Sequence, residues 1–578
     1  MKYVAAAIIC LSLLAPTAMA DEFTAELKLR GPQDVPILRK LDISVDSIRN
    51  NIASAYLNDK EERALEAAGI DVKRTLDEAF WDLDKNGLAK GYHNPETCEE
   101  ALKAWAQEHS EVCKLIQIGT SVKGRAIWAL KISTNAQVHD FKPMVRFCGA
   151  HHGNEIASSE TVLMFTKYIL DNYETDERIG NIVKNVEMWL IPMVNPDGVA
   201  KRSRYNANYK DLNRNYGYRF RPGWKAGTPY SEPETRAFRD HAANIPFSLS
   251  LSFHCSGDLV NYVWNYTTVR CPDQDLIFGL SEGYASFNEY EVTQGADWYA
   301  INGDTNDWAY GCSGCLDSTI EIANPSYSGI NKVFERNKEP MLYYCEQVQK
   351  GICGVVTNEE GVPLKAFVEA IPPRWPTFSH PEGGDFHRVL LPGTYKLRVW
   401  APGHAEKIIE NITVSDGAAT RVDVTLEKSA GTYHALQLCE IVVPRNSSNT
   451  THGPHVLGPP DSVFCSLGDG GHLVVDLSDE FPTGTGAKIT IHDEPSADEN
   501  AESYQLLTSK SQDGPWEKIG QGTGTATIEV AKVERYLKVA DKSKEFKRTT
   551  TPGLDLESIT VVRRSAVQTK GFQELHQK

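Results

Sequence analysis

Positive charge is scarce in this chain. Its 578 residues carry 60 Lys and Arg against 77 Asp and Glu, a formal net charge of −17. A phosphate backbone is held by a basic face, so the composition argues against nucleic acid as a partner. An acidic surface would attract cationic peptides instead. Long apolar runs are also missing: beyond the N-terminus no stretch is apolar enough to cross a bilayer. No repeat and no low-complexity linker is visible. CxxC occurs at Cys312 and Cys315, with no second pair and no thioredoxin-like context, so a zinc-ribbon or redox reading has little support. What is present, 41% hydrophobic and 24% charged residues, is ordinary for a soluble globular protein, and the length calls for three or four domains.

The N-terminus carries a compartment signal. Lys2 precedes an apolar run from Val4 to Leu14, then Pro16 and the small-x-small sequence Ala18-Met19-Ala20. This reads as a Sec-type signal peptide cut after Ala20, leaving Asp21 first. The run is short for a membrane anchor, and Ile9 before Cys10 lacks the small side chain of a lipidation signal. The expectation is a secreted or periplasmic protein with no membrane span after cleavage. In an oxidising compartment some of the remaining cysteines should pair. Cys98 with Cys113, flanking one amphipathic helix, and Cys439 with Cys465 are the candidates.

Patterning divides the rest. Residues 21–88 read as a small α+β unit, with a strand-like Phe23–Leu29 and a helix from Asn58 to Ala68 stopped by Gly69. It is either a prosegment-like or docking domain or a simple extension. Residues 89–349 alternate between helix and strand: helices at 96–109, 155–173, 232–243 and 332–350, and apolar strands at 144–149, 186–194 and 247–254. The expected fold is α/β, a mixed sheet with helices on both faces, and ligands in such folds sit at the carboxyl ends of strands. Residues 350–428 and 429–578 lose helical periodicity and gain turn signals, which predicts two β-sandwiches, the second jelly-roll-like.

One spaced set of residues carries chemistry. His152 and Glu155 stand three apart in GAHHGNE, where a strand turns into a helix. His254 ends an alternating strand in SFHCSGDLVNY, and Glu321 lies in STIEIAN. Two imidazoles and a carboxylate make a catalytic zinc set that keeps one position for water. His151 competes as a ligand but sits four from Glu155, and His152 is preferred. Cys255 is assigned to the core, Asn195-Pro-Asp-Gly198 to a turn that shapes the site, and Trp298, Trp308 and Tyr310 to packing.

The central region resembles the M14 zinc carboxypeptidases, and more closely their regulatory branch, which includes carboxypeptidases N, E and D. The segments GVVTNEEGVPL and LLPGTYKLRVWAPGH resemble the transthyretin-like module that follows the catalytic domain there. The last 150 or so residues have no part in the resemblance. It implies one catalytic zinc held by His152, Glu155 and His254. In RYNANYKDLNRN it implies Arg204 as the group that polarises the scissile carbonyl, Asn213 and Arg214 as the clamp for a terminal carboxylate, and Asp211 as a hydrogen-bond partner of a ligand histidine. Tyr299 in GADWY matches the mobile tyrosine that closes over substrate, and Glu321 the general base. The implied activity is hydrolysis of the C-terminal peptide bond.

Specificity is less legible. Basic-specific relatives place an aspartate where Asn265 stands, and a second pocket position falls on Asn306. Asp304 is a nearby substitute for the missing charge, and polar or neutral C-terminal residues fit equally. Cleavage of peptidoglycan stem peptides and a non-catalytic surface-binding role are the alternatives. The C-terminal domain, with VLGPPDSVFCSLGDGGHLVVDL, either contacts a glycan or cell surface or shields the body.

Overall fold

The computed structural model describes residues 23–75, 91–223, 225–255, 257–429, 431–443, 452–468, 470–479, 481–493, 502–543 and 554–563. The expected signal peptide, residues 1–20, and the expected boundary at 88 lie outside them. The chain divides into two compact units, residues 1–77 and 78–578.

The first unit is a four-stranded antiparallel sheet in the order Ser44–Arg49, Ile52–Leu57, Phe23–Lys28, Asp71–Thr75. Alternation in the Phe23–Lys28 strand buries Ala25 and Leu27. Its main helix, Asp59–Ala67, is fixed by a capping box: the Asn58 side chain accepts from the Lys60 and Glu61 amides, and Glu61 accepts from the Asn58 amide.

The second unit is built on an eight-stranded sheet. Its order is Glu291–Gln294, Leu259–Tyr262, Leu316–Ile322, Leu249–Cys255, Met144–Cys148, Glu187–Ile191, Ala126–Ile132, Cys113–Thr120. The four central strands run parallel and are buried at every position, as strands covered on both faces must be. Helix Ile156–Asn172 packs on Ile330–Gln347, which also meets Gln274–Ala285, while Pro95–Glu108 and Pro233–Ala242 pack on the strand Cys113–Thr120. The parallel arrangement brings the carboxyl ends of the Met144, Leu249 and Leu316 strands to one edge, which positions the site.

Two β-regions follow. Residues 352–426 form two four-stranded sheets around their own core of Ile352, Val356, Val368, Leu397, Val399 and Val424. Residues 432–563 form two five-stranded sheets, and their core is continuous with that of the eight-stranded sheet. Backbone bonds join the two regions: Ile441 N–H donates to Gly217 O (2.7 Å) and Phe220 N–H to Ile441 O (3.1 Å). The last β-region therefore braces the segment that follows Asn213 and Arg214.

The expected disulfides are absent, and this corrects the reading of the cysteines. All eleven described cysteines are free, and Cys98, Cys113 and Cys465 are buried. They pack as small apolar groups in the core. Burial pushes the thiols of Cys98, Cys113 and Cys148 up, the last two to about 12, which suppresses the thiolate that exchange requires.

Candidate metal and substrate site

The Met144–Cys148 strand leads into a tight turn in which Ala150 takes a positive φ of 51°, and Glu155 is the N-cap residue of helix Ile156–Asn172. Gly153 is required here: a Cβ on it would stand 1.9 Å from the carbonyl carbon of Gly198. Asn195 holds the opposing turn, accepting from Gly198 N–H (2.8 Å) and donating to His151 O (3.2 Å). The two loops lock each other, and His152 and Glu155 are driven under the sheet edge, 2% and 1% exposed.

The three sequence-predicted ligands meet there. His152 Nδ1 lies 2.6 Å from Glu155 Oε1, His254 Nδ1 2.9 Å from Glu155 Oε2, and the two Nδ1 atoms are 3.2 Å apart. The far nitrogen of His152 faces Asp211 Oδ1 at 3.1 Å, which fixes Nε2–H and turns the Nδ1 lone pair toward the Glu155 carboxylate. Two imidazole nitrogens and a carboxylate gathered within 4.8 Å of one another are a donor set that fits zinc. His151 takes no part: its Nε2 is 2.9 Å from the Tyr216 hydroxyl, and its ring packs on Phe238. Asp211 also accepts from Arg204 Nε (3.0 Å), and Arg204 reaches Glu155 at 3.6 Å. Glu321 sits beside His254 on the neighbouring parallel strand, in register with it.

Burial sets the electrostatics. It opposes charge on Asp211, but Arg204 and His152 outweigh it and hold that carboxyl well below the usual range. It pushes His152 down together with Arg204, and Glu155 and Asp211 raise the ring above its ordinary value. His151, with burial and two imidazoles against it, is held well below the ordinary value and is neutral.

The remaining predicted residues form a polar wall. Asn213 Oδ1 accepts from Thr305 N–H and Oγ1 (3.0 Å each), and its Nδ2 faces His254 Nε2 at 3.5 Å. Arg214 donates to the Asn213 carbonyl at 2.7 Å. Tyr299 ends the short helix Gly295–Tyr299, which is tied at both sides: Ala296 N–H to Trp264 O and Ile301 N–H to Asn265 O. Asn265 donates from Nδ2 to Asp304 Oδ1 (2.8 Å) and accepts from Asn261 Nδ2 (3.1 Å). Asn306 accepts from Thr319 Oγ1 (2.8 Å) and donates to Asn261 O (3.3 Å). Asp307 is fully engaged, accepting from the Asn265 and Tyr266 amides. Asp304 Oδ2 and Asn261 Oδ1 are buried acceptors with no hydrogen-bond partner among the described residues. Burial raises both aspartates, and Asp304 pushes Asp307 further. Asn261 was missed in the sequence; a polar residue in the wholly buried strand LVNY was its signal.

Residues 98–340 match the zinc carboxypeptidase family, Peptidase_M14. Carboxypeptidase SOL1 of Arabidopsis thaliana is 30% identical over 341 residues, covering 55% of this chain and 69% of that one. The chain belongs to the zinc carboxypeptidase family. Carboxypeptidase D of Mus musculus is 30% identical over 379 residues, which are 59% of this chain and 27% of that protein. The solved carboxypeptidase A of Helicoverpa armigera aligns over 56% of this chain and 97% of its own, with 18% identity and a TM-score of 0.48. Placement in the regulatory branch fits the matches to carboxypeptidase D and to the carboxypeptidase N catalytic chain. The family works with a catalytic zinc ion, and His152, Glu155 and His254 are a buried group whose donor atoms could hold one.

Proposed function

We propose that the chain is an exported carboxypeptidase that removes the last residue of peptides or proteins, preferring a terminal residue with a cationic side chain. The convergence of His152, Glu155 and His254 with Glu321 in register beside His254 supports the reaction. When bound, zinc supplies a Lewis acid that lowers the pKa of water and polarises a carbonyl. Glu321 takes the proton of the attacking water and delivers it to the leaving amine. Arg204, held by Asp211, faces the charge that develops on the carbonyl oxygen. Arg214 and Asn213 bind the free carboxylate of the substrate, for which a planar guanidinium offers paired donors, and Tyr299 closes over it. The demand for a free carboxylate restricts attack to the last peptide bond.

The preference rests on Asp304. Asn265 stands where the family's basic-specific members carry charge, and its amide donates to Asp304, so the charge is present one contact away. The unpartnered Asp304 Oδ2 and Asn261 Oδ1 are acceptors that an ammonium or guanidinium would satisfy, and a cation would offset the burial that raises Asp304. Export rests on the N-terminal leader pattern.

The test is a release assay on purified mature protein with peptides that differ only in their last residue, with and without a chelator. Chelator-sensitive release, fastest from terminal Lys or Arg, is the expected result. Release from a D-amino-acid stem peptide alone would select peptidoglycan cleavage, and no release from either would select a binding role. Cell fractionation with N-terminal sequencing checks the location; an N-terminus at Asp21 is expected.

A further inference from the structure

A second gathering of metal-type donors lies outside the catalytic site, on the seam between the catalytic region and the first β-sandwich. His139 comes from the loop between the catalytic strands Ala126–Ile132 and Met144–Cys148. His380 and Asp385 come from the sandwich, where Asp385 opens the strand Asp385–Arg388. His139 Nε2 is 2.5 Å from Asp385 Oδ1, and the His139 and His380 rings stack with centroids 3.6 Å apart and planes within 5°. One donor atom from each of the three lies within 4.8 Å of the others.

We propose that His139, His380 and Asp385 bind a second divalent cation of the zinc class, which ties the sandwich to the catalytic region. Four observations carry this. The donors are two imidazoles and a carboxylate, a set suited to zinc with one position left for water. Asp385 is 2% exposed and its second oxygen, Oδ2, is buried with no hydrogen-bond partner among the described residues; such an acceptor is costly unless something binds it. Gly383 leaves the space for the approach: a Cβ there would stand 2.2 Å from Asp385 Oδ1 and 2.4 Å from His139 Nε2.

The fourth is that the sandwich side is held before any ion arrives. The Asp385–Arg388 strand is fastened to the catalytic region by Ser248 Oγ donating to His387 O (2.8 Å) and by Arg388 donating to Asp273 (2.6 Å), so the ligands need little reorganisation. His387 lies two residues from Asp385, hence on the same face of the strand, and its buried Nε2 also lacks a partner. Two interactions compete, the direct His139–Asp385 contact at 2.5 Å and the Glu382 amide donating to His380 Nδ1 at 3.2 Å, and both are given up on binding.

The experiment is metal analysis of the full chain, saturated with zinc and desalted. Wild type should retain two equivalents. His380→Ala and Asp385→Asn should each retain one while releasing terminal residues at the wild-type rate. His254→Ala should also retain one equivalent but release nothing. A single equivalent in wild type, or a second equivalent that survives in both His380→Ala and Asp385→Asn, overturns the proposal. Anomalous scattering at the zinc edge from crystals of the wild-type chain needs no variant to fold. A peak between His139 and Asp385 supports the site, and its absence with a peak at His254 present overturns it.

Discussion

Two clusters of imidazole and carboxylate stand in this molecule, and they differ in how they are made. The first, His152, Glu155 and His254, is built at the ends of neighbouring parallel strands of one sheet, and every member is buried. The second, His139, His380 and Asp385, is built between two layers, with both imidazoles only half-buried. A site inside a sheet edge is fixed by the fold that makes it. A site on a seam is fixed only when both partners dock, so it reports and reinforces docking. Chemistry belongs at the first, where water is excluded and charges are held, and stability at the second.

The largest effect that would break this division is on turnover. Glu321→Gln keeps the size of the side chain but removes the base, and a loss of about 10²–10⁴-fold in kcat is expected with the metal content unchanged. Retained turnover would remove Glu321 from the reaction. At the seam, by contrast, substitutions should leave kcat alone.

The next effect tests how tightly the first cluster is held. Asp211 fixes the His152 ring and is itself held by Arg204. Asp211→Asn should weaken zinc binding by about 10–100-fold, read by competition with a chromophoric chelator. An unchanged affinity would mean that the sheet alone orients His152. Smaller again is the change expected in the pocket. Asp304→Asn should lower the ratio of terminal Arg to terminal Leu release by roughly tenfold, the worth of one charged hydrogen bond. A constant ratio would place Asp304 outside the pocket. Asn265→Asp, in contrast, would set a carboxylate 2.8 Å from Asp304 and should not add a second charge, because two buried carboxylates at that distance share a proton.

The comparison also marks what a sequence discloses. His152 and Glu155 are three residues apart just after a buried strand, and His254 closes a run of alternating residues, so local patterning exposes the site. Three strands of the sheet and four of its helices were legible for the same reason, within a few residues at each end, whereas the strands 113–120, 126–132, 259–262 and 291–294 and the helices 177–185, 274–285 and 305–313 were not named. His139 and Asp385 are 246 residues apart in segments without periodicity, and no local rule links them. The cysteines misled because compartment was used in place of packing: free thiols satisfied by burial look identical, in a sequence, to paired ones. Asp304 was visible as a residue, but its bond to Asn265 depends on how the loop 295–304 folds back, through Ile301 to Asn265.

A third gathering, without any imidazole, sharpens the contrast. In the last β-region Glu502 is buried beside Asp555, Asp493 and Asp541, and burial together with these carboxylates pushes its carboxyl up to about 8. Its Oε2 accepts from the Asp555 amide at 2.9 Å. The folded state holds a proton here that the unfolded chain releases near its ordinary value of 4.5. Stability from this group is therefore complete below about pH 4.5, falls as pH rises, and is fully lost once pH passes about 8. Solvent near the group screens the effect, so about 1–2 kcal/mol is at stake rather than the several that the full shift would give. Glu502→Gln keeps the acceptor for Asp555 and removes the titration. It should raise the thermal midpoint by a few degrees at pH 9 and leave it unchanged at pH 4. An equal shift at both pH values would show that packing, and not the proton, governs this cluster. Where imidazoles and a cation are available, as in the first two clusters, carboxylates can stay charged under burial; where only carboxylates meet, one of them must keep its proton.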